Sequence, residues 1–398
     1  MFQKGTPVGG IQPYFLTQAV SDLDRTKQLA DQPEIATITA QALEVASVLA
    51  DFIRGATSTI DIAIYDFRLL DGPLTATIVD AVKEAVGKGA TVRLAFDINN
   101  QDPTLKAFAD AGGDPAPRGT HLFVDNAALP AEVQVKAIQE EAIDPGHQIM
   151  HQKYIVRDAD TDHGAVLMGS ANFTTDAWGI QDNNILVVAD APELATRYEK
   201  DFSELWDAEA ITGTGADAGG PATVGALDIE SAFAPAGGSD IEAALAALIA
   251  SATTRLRVAS MVITSPDILQ ALAERIDAGV ELVGVYDGPE MRNTVAAWKR
   301  SGSAASQEHL ALWQKVSARL VEKASVPFSA NGPHNFMHDK VVVADDRVAT
   351  GSFNFSRNAA RNAENVLQIP HAGLAQQYTD YIDGLVTRYG SPVAVGLH

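Results

Sequence analysis

The chain carries one constellation of residues twice: His151, Lys153, Asp158, Gly169, Ser170 and Asn172, then His338, Lys340, Asp345, Gly351, Ser352 and Asn354. A His-x-Lys-x-x-x-x-Asp run followed by Gly-Ser-x-Asn is improbable once by chance. Two copies constrain the chain to a pair of like-folded halves that share one site. The repeat reaches beyond the motifs. Runs of strand type at 59–66 and 255–262 are each followed by an amphipathic helix and a second strand, at 74–89 and 91–97, then at 266–279 and 280–287. Leu194-Ala195-x-x-Tyr198 and Leu374-Ala375-x-x-Tyr378 open matching helices. The offset between copies drifts from 196 residues (255 − 59) to 180 (374 − 194), as loop-length differences produce, so this is a two-copy duplication and not a short-period solenoid.

With 398 residues, 46% of them hydrophobic, the chain has enough apolar content for two ordinary cores. The expected class is α/β: half-domains over 1–210 and 227–398, joined by a Gly-, Ala- and Thr-rich linker at 211–226, with the active site between them. Residues 1–36 carry little periodicity and are expected to wrap the first half. A helix over 40–54 feeds the first strand, as 241–252 does in the second half. The long segments 99–150 and 288–337 each arrive just before a motif histidine, which makes them the natural walls of a pocket. The second is expected to hold one helix carrying Trp298 and Trp313.

Side chains two apart on a strand share a face, so His151 and Lys153 point together, as do His338 and Lys340. Glycine lets backbone approach a ligand closely, and Ser and Asn supply neutral hydrogen-bond donors for phosphate oxygens. Two Lys, two Ser and two Asn converging from two halves form a cage for one phosphodiester anion. Two histidines in that cage can divide covalent catalysis, one attacking phosphorus and the other handling the leaving-group proton.

The paired motif resembles the signature of the phospholipase D superfamily, over roughly 60–385. The resemblance implies two pseudo-symmetric half-domains, each a mixed β-sheet flanked by helices, and phosphodiester cleavage through a phosphohistidine intermediate, without metal or other cofactor. Carried over by motif position, His151 and His338 are the catalytic pair, His151 being the nucleophile. Lys153, Lys340, Asn172 and Asn354 bind phosphate, supported by Ser170 and Ser352. Asp158 and Asp345, five residues beyond each lysine, read as structural. Asp182 and Glu364 lie at equal offsets after the motif serines (182 − 170 and 364 − 352, both twelve) and are the candidates for orienting the histidines. In similar family members this contact crosses the interface, which pairs His151 with Glu364 and His338 with Asp182.

His147 and His334 each precede a motif histidine by four residues and read first as solvated, with the pocket mouth as the alternative. Trp178 reads as a core indole. No metal-ligand or P-loop signature is present, and the absence of cysteine rules out disulfides and thiolate sites.

The expected substrate is a phosphodiester, with phospholipid favoured, nucleic acid the alternative and a phosphate-binding scaffold without turnover the third reading. Lys and Arg number 29 against 51 Asp and Glu, a formal net charge of −22 that disfavours a broad polyanion groove. Gly351-Ser352-Phe353-Asn354-Phe355 and the 362–365 run nevertheless resemble nuclease-type members. Gly-Ser after both motifs departs from secreted bacterial phospholipases, which carry Gly-Gly after the first. No apolar stretch approaches the roughly 20 residues that span a bilayer, and no apolar leader core stands at the N-terminus. The chain reads as a cytoplasmic monomer, although a secreted protein shorn of its leader would look the same.

Overall fold

The computed structural model describes residues 1–18, 39–69, 72–97, 120–121, 130, 132–139, 141–142, 147–328 and 334–390. Two eight-stranded mixed sheets correspond position by position. The first runs Phe2–Lys4, Ile11–Leu16, Asn183–Val188, Ala165–Gly169, Lys153–Arg157, Thr59–Ile64, Thr91–Asp97, Gln134–Ile138. The second runs Gly220–Val224, Leu227–Ala234, Glu364–Pro370, Arg347–Gly351, Lys340–Ala344, Arg255–Ser260, Glu281–Asp287, Leu320–Lys323. In each, three parallel strands at one side meet an antiparallel set at the other, and the Lys-bearing strand stands at the junction, antiparallel to both neighbours.

Helices cover both faces. Ala40–Arg54 starts at Thr39, whose side chain caps the Ala42 amide, and buries Val45, Ala46, Leu49, Phe52 and Ile53 at helical spacing. Pro266–Asp277 starts the same way, with Ser265 capping Ile268 and Pro266 in the first turn. These helices pack on the outer faces, where each half has its own core. Pro192–Ala208 and Ala372–Tyr389 lie on the inner faces. Their Tyr198, Phe202, Tyr378 and Ile382 join Phe15, Tyr154, Phe233 and Met337 in one central core built from both halves. The site therefore sits where the two sheets face each other over a shared apolar layer.

Four expectations are corrected. Within 1–36, Ile11–Leu16 is a strand hydrogen-bonded to Asn183–Val188, because its side chains are needed by the central and outer cores on both faces. Within 211–226, Gly220–Val224 pairs with Leu227–Ala234 and edges the second sheet. Trp298 and Trp313 lie on two helices, Gly288–Ser301 and Ala304–Ser317, separated where Gly302 takes a left-handed conformation and Ser303 caps the next helix. His334 is buried, its ring stacked on Phe336 at 4.8 Å, and is not solvated. Trp178 is fully buried, as expected of a core indole. Much of 99–150 lies outside the described residues, as does the side chain of His147.

Candidate active site

Backbone pairing joins the halves beside each motif. Met150 bridges Ala363 and Met337 bridges Asp182, both in parallel. The His151 amide then donates to the Ala363 carbonyl and the His338 amide to the Asp182 carbonyl, each at 2.9 Å. Each histidine is thus anchored on a strand start of the opposite half. Lys153 follows at the head of its own strand, and its Nζ donates back to the His151 carbonyl at 2.9 Å; Lys340 does the same to His338. All four residues are at most 6% exposed.

These groups act on one another electrostatically. Burial pushes the His151 imidazole down to about 4, against the pull of Glu364 and with Lys153 and Lys340 adding to the push. Burial also pushes His338 well below the usual imidazole range, and Lys340, Lys153 and His151 lower it further. Lys153 is brought down to about 7 by burial, opposed by Glu364, Asp66 and Asp97. Lys340 falls by burial first and by Lys153 second. Two lysines and two imidazoles from opposite halves therefore lie within electrostatic reach of one another, and burial disfavours the charged form of each.

The histidines have unlike partners. Both Glu364 carboxylate oxygens lie 2.9 Å from His151 Nδ1. His338 Nδ1 instead meets the Asn183 side-chain oxygen at 3.0 Å. The expected His338–Asp182 contact is not made. Asp182 holds the position equivalent to Ala363, each bridging the methionine before a motif histidine, so the residue that matches Glu364 is Asn183. The loop from serine to partner is one residue longer in the first half (183 − 170 against 364 − 352), and it holds the helix Thr175–Gly179 where the second half has a 3-10 turn, Ala359–Arg361. Asp182 is engaged elsewhere: it accepts from Lys323 Nζ and from Tyr389 at 2.7 Å each, and from the Gln18 amide at 2.8 Å. The matching positions in the other half hold Ala363 and Ile138.

Gly169 and Gly351 are required by close approach, since a Cβ would stand 2.2 Å from the Asn184 carbonyl oxygen and 2.1 Å from that of Asn365. Ser170 and Ser352 are fully buried, and their hydroxyls accept from the Asn184 and Asn365 amides at 3.0 Å each. Asn172 and Asn354 are half-buried, and in both the side-chain oxygen is buried with no partner among the described residues. Asp158 and Asp345 lie past the far ends of their strands in left-handed conformations. Asp158 accepts from the amides of Thr57, Ser58 and Thr59, and Asp345 from those of Thr253, Thr254 and Arg255. Neither touches a motif histidine.

Residues outside the motifs complete the setting. Between each motif His and Lys stands a residue that crosses to the other half. Gln152 accepts from Asn365 Nδ2 at 2.6 Å, and Asp339 accepts from Asn184 Nδ2 at 2.8 Å and from Tyr381 at 2.7 Å. The repeated Tyr198 and Tyr378 donate to Asn365 and Asn184 at 3.1 and 3.0 Å. Asp97 and Asp287, ending equivalent strands, accept the Met150 and Met337 amides at 2.7 and 2.9 Å. For the asparagines, the repeated tyrosines, Asp97 and Asp287 the repeat was the only sequence signal, and Gln152 and Asp339, unlike each other, had none.

The walls beside the two motifs differ. The Tyr65 amide bonds the Gln152 carbonyl as the Met261 amide bonds that of Asp339, which fixes the correspondence. In the first half, the Tyr65 ring lies 5.0 Å from that of His151, and Asp66 is paired with the buried Arg68. Asp176 acts electrostatically on Arg68 and lies 3.8 Å from His334 of the second half. The corresponding second-half residues are Met261, Val262 and Thr264. Among the described residues, no group of three or more His, Asp or Glu side chains is placed to hold a metal ion, and no helix is long and apolar enough to cross a membrane.

A family model described as the cardiolipin synthase PLD-like domain matches residues 49–206 and 245–386, one stretch in each half. The fold is similar to that of a phosphatidylserine synthase from Haemophilus influenzae, with a TM-score of 0.58 at 14% identity over 93% of this chain and 92% of that one. A polyphosphate kinase from Porphyromonas gingivalis gives 0.50 at 11% identity, over 85% of this chain and 45% of that one. Nuc, a phospholipase D family member from Salmonella typhimurium, is 25% identical over 40% of this chain and 93% of its own, with a TM-score of 0.30. No curated protein matches the chain.

Proposed function

Because the chain belongs to the phospholipase D superfamily, matching its cardiolipin synthase PLD-like family in both halves, we propose that it is a phosphodiester hydrolase or transferase working through a phosphohistidine, with a phospholipid as substrate. The observation that supports the chemistry is that His151, Lys153, His338 and Lys340, two from each half, are all buried and within electrostatic reach of one another. A bound phosphodiester anion favours the cationic form of both lysines. Asn172 and Asn354 add neutral donors from opposite sides, while Ser170 and Ser352 hold the neighbouring strand starts.

Glu364 binds His151 Nδ1, which leaves Nε2 free to attack phosphorus. Positive charge develops on that ring as the P–N bond forms, and the adjacent carboxylate stabilises it. The P–O bond to the leaving group breaks, and its oxygen takes the proton from His338 Nε2. An acceptor, water or an alcohol, then returns a proton to His338 as its oxygen displaces His151 from phosphorus.

The unlike walls favour a lipid. A nucleic-acid strand places similar nucleosides on both sides of its phosphate, whereas a phospholipid places a polar headgroup on one side and an acyl-bearing glycerol on the other. Tyr65, Asp66 and Arg68 against Met261, Val262 and Thr264 suit the second kind. The net charge of −22 also disfavours a polyanion. The test is release of headgroup from phospholipid micelles, with transfer of the phosphatidyl group to added ethanol, compared with cleavage of single-stranded and duplex DNA at low salt. Efficient DNA cleavage with lipids untouched would replace this reading with the nuclease.

A further inference from the structure

The two halves differ most sharply at one atom pair. Where His151 meets a carboxylate, His338 meets an amide. The amide is held in a fixed sense: Asn183 Nδ2 donates to the Ala177 carbonyl and to Gln181 Oε1, each at 3.3 Å, so its oxygen faces the imidazole. Ser170 Oγ donates to the same oxygen at 2.8 Å. An amide oxygen accepts one proton from Nδ1 but carries no charge to balance a second proton on Nε2. The remaining charged groups around the ring repeat that bias. Lys340 from its own motif and Lys153 and His151 from the other half all disfavour an imidazolium, and only a hydrogen bond to the Ser170 backbone, a smaller influence, acts the other way. The carboxylate of Asp339 is reached through the Ser170 hydroxyl, 3.3 Å away, and among the described residues does not bond the ring.

Resting on the reading above, we propose that Asn183 is a positioning residue that gives the histidine pair a direction, holding His338 as a neutral imidazole with Nε2 free while Glu364 is placed to carry the charge that His151 gains. In the phosphohistidine state, His151 is cationic beside a carboxylate and His338 is neutral beside an amide, so both partners match the state in which an acceptor must be deprotonated. Asn183 thereby favours His338 as base in the second step, the one that decides transfer to an alcohol or to water. The proton for the first step comes from an imidazolium that forms only when the substrate's own anion is present to balance it.

The test is titration of the histidine ring nitrogens by NMR in the full-length, substrate-free protein, comparing wild type with Asn183→Asp. A carboxylate at this point should raise the His338 midpoint by about one to three pH units and move that of His151 far less. The alkaline limb of turnover should move with it. If Asn183→Asp does not fold, Asn183→Ala decides: loss of the Nδ1–H tautomer of His338 is expected. A His338 midpoint unmoved in Asn183→Asp, or a tautomer unchanged in Asn183→Ala, overturns the proposal. Because the ring is read without substrate, such a failure counts against Asn183 and leaves the phosphodiester reading to its own assay.

Discussion

Asn365 of the second half donates its side-chain amide to Gln152 of the first at 2.6 Å, directly between His151 and Lys153. The same asparagine accepts from Tyr198, which is fully buried. Asn365→Ala leaves Gln152 Oε1 and the Tyr198 hydroxyl without these partners, at a cost of about 1–3 kcal/mol for each buried group left unpaired. Urea denaturation should show that loss, together with reduced turnover, because the backbone carrying His151 is fixed through this contact. A variant of wild-type stability would show that the interface does not depend on it.

On the proposed mechanism, His338→Ala removes the proton donor and leaves the nucleophile. Turnover of a substrate with a poor leaving group should fall by roughly 10²–10⁴-fold, the usual contribution of general acid–base catalysis. A substrate with a good leaving group should still load His151. Intact-mass measurement and peptide mapping should find the adduct on that residue. An adduct on His338 in the His151→Ala protein, with none on His151 in the His338→Ala protein, would reverse the assignment.

Activity should survive EDTA, since on the proposed mechanism Lys153, Lys340, Asn172 and Asn354 supply the positive charge and donors that the transferring phosphoryl group requires. Loss of turnover on chelation, restored by a divalent ion, is the contrary result.

Asp158 and Asp345 should shape the acid limb of stability. Backbone amides and, for Asp345, the Thr254 hydroxyl hold both carboxyls below the usual carboxylate range, although burial pushes the other way. With the folded value below the unfolded one, the stabilisation is complete above the ordinary Asp value of about 4 and is lost as pH falls below it. Asp345→Asn should lower stability at neutral pH and flatten the decline below pH ~4 relative to wild type. Parallel acid-denaturation curves for the two proteins would remove Asp345 from that role.

Much of this architecture was legible because the duplication is. Strands and helices such as 91–97 and 40–54 announce themselves through alternation and capping, and the motif fixes what converges. The partner of His338 was not legible. Equal offsets of twelve residues selected Asp182, yet the extra residue between Ser170 and Asn183 moved the correspondence by one position, and one position on a strand exchanges its two faces. The strand at 11–16 was hidden by Pro13 and by burial on both faces, which erases alternation. The cross-interface bonds of Gln152, Asp339, Asn184 and Asn365 are set by which strands of the two halves meet, and no local pattern reports that.

The pair Asp182 and Lys323 has a consequence for ancestry and assembly. Its two members come from different halves, and their counterparts are Ala363 and Ile138. A dimer of two first halves would set Asp182 against Ile138 and strand a carboxylate in the core; two second halves would strand the ammonium of Lys323 against Ala363. Either homodimer carries an unbalanced buried charge at both of its equivalent positions, a penalty of several kcal/mol each. Only first with second closes without one. The two copies have therefore become sexes of a single fold: produced as separate chains, they should recognise each other and refuse themselves.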